Sequence, residues 1–303
     1  MRIDVKRIFY PTDLSPESRG SLRYAIELAL AYEAKLFVCH CVSATAAADE
    51  SMMERIKGVF EEMVGDYVSP GGAPGLDWEG VVIVGDPADA IVREAAEREV
   101  DLIVMRTRRR PYAAALLGST AETVSRAAHC PVLAIPSRLA KWVSFAPDEA
   151  KAMRLLIAYD FSEDSELALS WGLSLAQEYQ AELHLLHVLP PEAGAEAPEY
   201  DWRETPGDRS FQKAAGLLHS VVPAGAELWC VIKEAVREGK PYREILAYAE
   251  EQEMDLICMG VRGAGFGLRA LFGSNTDRVL RQASCPVLIA RPRTQDVSAR
   301  KAA

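Results

Sequence analysis

Residues 7–42, RIFYPTDLSPESRGSLRYAIELALAYEAKLFVCHCV, return at 154–189 as RLLIAYDFSEDSELALSWGLSLAQEYQAELHLLHVL. The restatement places Asp13 over Asp160 and His40 over His187, an offset of 160 − 13 = 147. VGDPADAIVREAAEREVDLIVM (84–105) returns as EGKPYREILAYAEEQEMDLICM (238–259), with Gly85 over Gly239 and an offset of 239 − 85 = 154. GSTAETVSRAAHCPVLAIP (118–136) returns from Gly273 as GSNTDRVLRQASCPVLIARP, an offset of 273 − 118 = 155. An internal repeat on this scale means two copies of one unit, and it governs every later reading. The larger gain in offset falls where the second copy carries PPEAGAEAPEYDWRETPGD, whose proline, glycine and acidic content marks an exposed loop.

Inside each copy, short apolar runs alternate with helical patterns. In the second copy, 155–159 reads as a strand, and 162–179 carries apolar residues at helical spacing. A strand at 183–188, a helix at 211–221 and a strand at 228–232 follow. Pro241 opens a helix to Glu253, in the first-turn position that proline favours. A strand at 256–259, a helix from Ser274 and a strand at 287–290 complete the set. Strands alternating with helices need crossover connections and a parallel sheet. Their continuous apolar character suits a sheet covered on both faces. The expected fold is therefore α/β, two tandem doubly wound domains of five parallel strands. Their expected limits are 1–137 and 153–292, with a linker at 138–152 where SRLAKWVSFAPDEAKA breaks the pattern, and a polar tail at 293–303.

The 303 residues accommodate two domains of ordinary size, and 49% hydrophobic with 26% charged residues is a globular composition. With 34 Lys and Arg against 44 Asp and Glu, the formal net charge is −10. An acidic surface disfavours broad nucleic-acid or anionic-membrane binding, so any bound anion must be captured by local geometry. No run reaches the roughly 18 apolar residues of a membrane span, and the N-terminal segment lacks the pattern of a signal peptide. Six cysteines, with Cys39, Cys41 and Cys258 inside apolar runs, read as buried thiols rather than a disulfide framework. The expected location is the cytoplasm.

Open parallel sheets collect ligands at the carboxyl ends of their strands, where strand order reverses. Two features of the second copy converge there: Asp160, directly after the first strand, and GVRGAGFGLRALFGSNTDRVL, after the fourth. Gly260, Gly263 and Gly273 let the backbone approach a ligand closely. Ser274 and Asn275 open the next helix, where unpaired N–H groups and a hydroxyl face an anion. Gly265 and Gly267 suggest a flap that orders over its ligand. The plain alternatives are a simple glycine-rich connection and, for Asp160, an acid that only satisfies a helix N-terminus.

On these residues the chain resembles a tandem member of the universal stress protein family, with its adenine nucleotide alpha hydrolase-like fold. Gly260, Gly263, Gly273 and Ser274 meet that family's G-x2-G-x9-G-[ST] signature without gaps. The resemblance implies ATP, with Mg²⁺ held mainly by the phosphates and not by protein side chains. It further implies that Asp160 and Val188 hold the adenosine, and that Met259 and Arg262 line the ribose and phosphates. Single-domain members commonly pair their last strands, so the two copies here are expected to form a pseudo-dimer within one chain, with a homodimer of tandem chains left open.

The first copy departs from the signature. It keeps Asp13, Gly118 and Ser119, but its loop reads MRTRRRPYAAALLGS, with Arg106 and Arg109 in the places of Gly260 and Gly263. One nucleotide site, in the C-terminal half, is expected. Arg106, Arg108, Arg109 and Arg110 form a basic cluster that reads either as a solvated face or as a site for another anion or an acidic partner. Cys39, His40 and Cys41 do not suit a metal, because alternate residues of a strand point to opposite faces. No catalytic residue is assignable, since neither a Walker A lysine nor a general base is specified. The leading expectation is a stress-response protein binding ATP as a regulatory or sensing ligand. An interaction scaffold using the arginines, and a slow ATPase or self-phosphorylating protein with Ser274 as acceptor, are the alternatives.

Overall fold

The computed structural model describes residues 2–47, 49–68, 75–107, 118–137, 152–190, 209–263 and 272–292. Two compact units divide the chain between residues 139 and 140, apart from short exchanges at the termini.

The first unit runs β1 (Arg7–Thr12), α1 (Pro16–Tyr32), β2 (Lys35–Val42), α2 (Ala44–Ala47), α3 (Glu50–Val68), β3 (Trp78–Val84), α4 (Pro87–Glu97), β4 (Leu102–Thr107), α5 (Ser119–Ala127) and β5 (Val132–Pro136). Its strands are parallel, in the order β3-β2-β1-β4-β5. The second unit runs β6 (Arg154–Ala158), α6 (Glu163–Tyr179), β7 (Glu182–Leu189), α7 (Arg209–Val221), β8 (Ile232–Glu238), α8 (Pro241–Glu251), β9 (Leu256–Gly260), α9 (Ser274–Gln282) and β10 (Val287–Ala290). Its parallel order, β8-β7-β6-β9-β10, repeats the first. In both, order reverses beside the first strand, where a doubly wound sheet opens a crevice.

The central strands are buried on both faces, with Ile8, Phe9 and Ile103 in one unit and Leu155, Ile157 and Ile257 in the other at 0% exposure. Each such side chain contributes roughly 1.5–3 kcal/mol of apolar transfer. The backbone repeats even where the residues do not. Leu14 and Phe161 (φ 60 and 62), Glu33 and Gln180 (φ 56 and 50), and Glu99 and Glu253 (φ 50 and 50) occupy matching left-handed positions. Two helix starts are specified locally by a side-chain cap: Ser162 accepts a bond from the Ser165 N–H, and Asp86 accepts one from the Ala88 N–H.

One expected strand is displaced. Instead of 228–232, β8 starts at Ile232, while Ala226–Leu228 is a 3₁₀ turn that leaves Leu228 89% exposed. Pairing of Leu183 with Ile232 fixes where β8 begins. An edge strand need not be apolar on both faces, so its polar sequence IKEAVRE was not recognisable from a search for apolar runs. Cys41 is also corrected: it is half-buried and donates to the Gly85 carbonyl at 3.2 Å, whereas Cys39 and Cys258 are buried. Among the described residues, no helix is long and apolar enough to cross a membrane.

Candidate functional site

In the second unit, β6 lies between β7 and β9, and Ala158 pairs with Met259 across the reversal. The segments that leave these two strands, Tyr159–Asp160 and Val261–Gly263, therefore emerge side by side. Asp160 Oδ1 accepts from the Ser162 backbone N–H at 3.2 Å and from its hydroxyl at 2.6 Å. Asp160 thus does the turn-closing work of a helix N-terminal acid, and its second oxygen, Oδ2, faces the glycine segment.

Phe161 follows in the left-handed region, an uncommon conformation for a bulky residue that the surroundings must hold. Its ring packs edge-on to Tyr159 at 5.2 Å and against His187 at 4.8 Å. His187 Nδ1 lies 2.8 Å from the Tyr159 carbonyl, which can only accept, so this nitrogen carries the proton. His40 repeats the bond to the Thr12 carbonyl at 2.9 Å. The repeated histidines therefore pin the turn that presents the aspartate. Val188, next to His187 near the end of β7, is half-buried.

The glycine signature separates into different physical roles. A Cβ on Gly260 would lie 2.8 Å from the Asp164 backbone carbon, so this glycine lets α6 pack closely on β9. A Cβ on Gly263 would lie 2.5 Å from Asp160 Oδ2, so the bare side of Gly263 faces the aspartate. Gly273 caps α9 in an extended conformation, and its N–H donates to the Val261 carbonyl at 2.8 Å, closing the loop at its base. The first turn of α9, with Ser274 exposed and Asn275 half-buried, has no side-chain cap at Gly273. Its N–H groups lack intrahelical partners, as at any helix start. Thr276 donates to the Gly260 carbonyl at 2.8 Å, tying α9 to β9. Met259 is buried.

Arg262 is held on a buried acid. Its backbone N–H (3.1 Å), Nε (3.0 Å) and Nη2 (3.4 Å) all donate to the Asp164 carboxylate, which is 5% exposed. The bonds to Asp164 push the Arg262 pKa further up. The guanidinium is therefore neutralised in part before any ligand arrives. Asp164 and Thr276 were not singled out in the sequence. The available signal for Asp164 was an acid one helical turn beyond Asp160, a pattern shared by many plain helix starts. Residues 264–271, with Gly265 and Gly267, lie outside the described residues.

The corresponding edge of the first unit holds a cavity of about 590 Å³. Asp13, His40, Cys41, Arg106, Ser119 and Thr120 are among its walls. Arg106 is not on a solvated face: its side chain is 14% exposed. Its Nη1 donates to the Ser15 hydroxyl at 3.2 Å and lies 3.9 Å from Asp13, while its buried Nε has no partner among the described residues. Glu17, which takes the place of Asp164, is exposed, so the buried acid of the second unit has no equivalent here. Arg108, Arg109 and Arg110 lie outside the described residues. Burial pushes the Cys39 thiol pKa far up, and among the described residues no cluster of His, Cys, Asp and Glu is placed to hold a metal.

Comparison with known proteins places these features in context. A family model described as the universal stress protein family matches residues 4–136 and again 151–291. A universal stress protein of Methanocaldococcus jannaschii is 31% identical over 140 residues, covering 46% of this chain and 81% of that protein. The universal stress protein YxiE of Bacillus subtilis is 33% identical over 153 residues, covering 46% of this chain and 98% of its own length. The crystal structure of a universal stress protein from Archaeoglobus fulgidus superposes with a TM-score of 0.68 at 23% identity, over 95% of this chain and 99% of that one, a likeness of fold.

Proposed function

Because the chain belongs to the universal stress protein family, we propose that its C-terminal half binds ATP as a regulatory or sensing ligand. The observation that carries the reading is the bare face of Gly263 against Asp160 at the sheet's reversal, a close approach that any side chain would disturb. In this reading Asp160 and Val188 hold the adenosine, and Met259, Gly260 and Gly263 present backbone to the ribose and phosphates. Gly273, Ser274 and Asn275 receive the phosphate end through the start of α9. Arg262 contributes by remaining on Asp164, which fixes the loop base, rather than by reaching out to a phosphate. Mg²⁺, if carried, would be held by the phosphates.

Release of bound small molecules by denaturation, followed by mass spectrometry, tests this reading. ATP or ADP near one per chain, absent from Gly263→Val, is the expected result. A chain that is empty and also fails to bind added ATP would refute it. Turnover is a separate question: hydrolysis lost in both Asp160→Ala and Ser274→Ala would favour the slow-ATPase alternative.

The unpartnered Nε of Arg106 favours a second reading for the first half, in which its cavity takes a compact anion through this guanidinium. Arg106→Met should remove that binding and leave ATP binding intact.

A further inference from the structure

Among the described residues the outer strand β3, WEGVVIV, is an edge with few of the usual protections. Leu36 N–H donates to the Asp77 carbonyl and Gly85 N–H to the Val42 carbonyl, at 2.9 and 3.2 Å. Backbone groups alternate along a strand, so odd-numbered residues turn toward β2. The N–H and C=O groups of Trp78, Gly80, Val82 and Val84 therefore point away from the sheet. No proline interrupts the strand, and its one charge, Glu79, is drawn inward by Lys35 (2.8 Å) and Arg98 (3.2 Å). Val84 is 42% exposed. Natural edges are normally guarded by charge, proline, shortness or a cover; among the described residues the outward side of β3 is touched at its end, where Arg93 Nη2 donates to the Val84 carbonyl at 3.5 Å, while the outward groups of Trp78, Gly80 and Val82 carry no such guard.

We propose that β3 pairs antiparallel with β3 of a second copy of this chain, about a two-fold axis through Val81. Two outward-facing residues must oppose each other for ladder bonds to form, which restricts the two-fold registers to those centred on a residue. Centred on Val81, Trp78 opposes Val84 and Gly80 opposes Val82 in hydrogen-bonded pairs, while Glu79 opposes Ile83. No like charges meet, and all seven residues are used.

The other outer strand shows the contrast. In β8, Leu183 N–H bonds the Val231 carbonyl and Gly239 N–H bonds the Leu189 carbonyl, so even-numbered residues face outward. Centring β8 on Ala235 opposes Lys233 with Arg237, and centring it on Val236 opposes Glu234 with Glu238. Registers centred on Lys233, Glu234 or Arg237 oppose a charge with itself. Such pairs are unfavourable, so β8 is closed to its own copy while β3 is open to its own.

The test is the mass of the full chain in solution. The net charge of −10 opposes self-association at low salt, so it is measured near 0.15 M salt, where the screening length is about 8 Å. Sedimentation should give twice 33.2 kDa. Val82→Pro, which removes an outward donor, should restore the single-chain mass, and Val82→Lys should do the same if the proline variant fails to fold. Val236→Pro on β8 should leave the dimer intact. Hydrogen exchange on the unaltered chain gives a reading independent of any variant: the Gly80, Val82 and Val84 amides should lose protection on dilution. A chain that stays single up to about 100 µM, the weak end of specific contacts, would overturn the proposal. So would a dimer indifferent to Val82, or outward amides whose exchange ignores concentration.

Discussion

At the scale of single residues, two glycines of one signature make opposite predictions. Gly260→Ala forces a methyl group against the backbone of α6, and overpacking of this kind costs about 1–3 kcal/mol. Chemical denaturation without nucleotide should show that loss directly. A Cβ at position 263 meets, among the described residues, the far end of the Asp160 side chain rather than backbone. Gly263→Val should change the nucleotide-free melting temperature little and abolish the rise that ATP produces. A Gly263→Val protein that is still protected by ATP would reject the assignment. The spacing of the glycines was legible in the sequence, but their division of labour was not. It depends on which atoms lie opposite each missing Cβ, and α6 and Asp160 reach those places only by folding.

At the scale of elements, β7 and α8 are joined by a buried polar link. His184 Nδ1 lies 2.8 Å from the Tyr248 hydroxyl, its Nε2 meets Glu182, and Lys233 closes on Glu182 at 2.6 Å. Burial lowers the His184 pKa below its ordinary 6.5 and outweighs the opposing pull of Glu182. The folded state then resists protonation more than the unfolded chain does. This stabilising contribution is complete above pH 6.5 and is lost as pH falls through the lowered value. His129, half-buried, with neither ring nitrogen partnered among the described residues, shifts in the same direction. The melting temperature should fall between pH 7.5 and 5.5, and His184→Gln should shrink that fall without removing the part due to His129. An equal fall in the variant would remove His184 from the account. The displacement of β8 belongs to this scale too: pairing with β7 placed the strand several residues beyond the apolar run that marked it in sequence.

At the scale of the molecule, duplication produced two units of one topology with unlike edges. One keeps glycine at position 260 and a buried acid at 164, and the other carries arginine and an exposed glutamate in those places. Calorimetric titration should therefore find one ATP per chain, unchanged by Arg106→Met and lost in Asp160→Ala. Two sites of similar affinity would show that Arg106 does not bar the first unit. At a free ATP concentration 100 times the dissociation constant, binding to one site should stabilise the folded state by about 2.7 kcal/mol.

The sequence by itself determined the repeat, the alternation of strands and helices and the parallel sheet they require, because strand and helix periods are local properties of the chain. It also determined that Asp160 and the glycine segment belong to the ends of two strands. Tertiary structure alone decided that Arg262 is held by Asp164, that Arg106 is drawn inward to Ser15 and Asp13, and that β3 is an outer strand whose one charge is drawn inward. Each of these depends on residues far apart in sequence meeting at a few ångströms. Periodicity carries no record of such distances; strand order, register and helix packing set them.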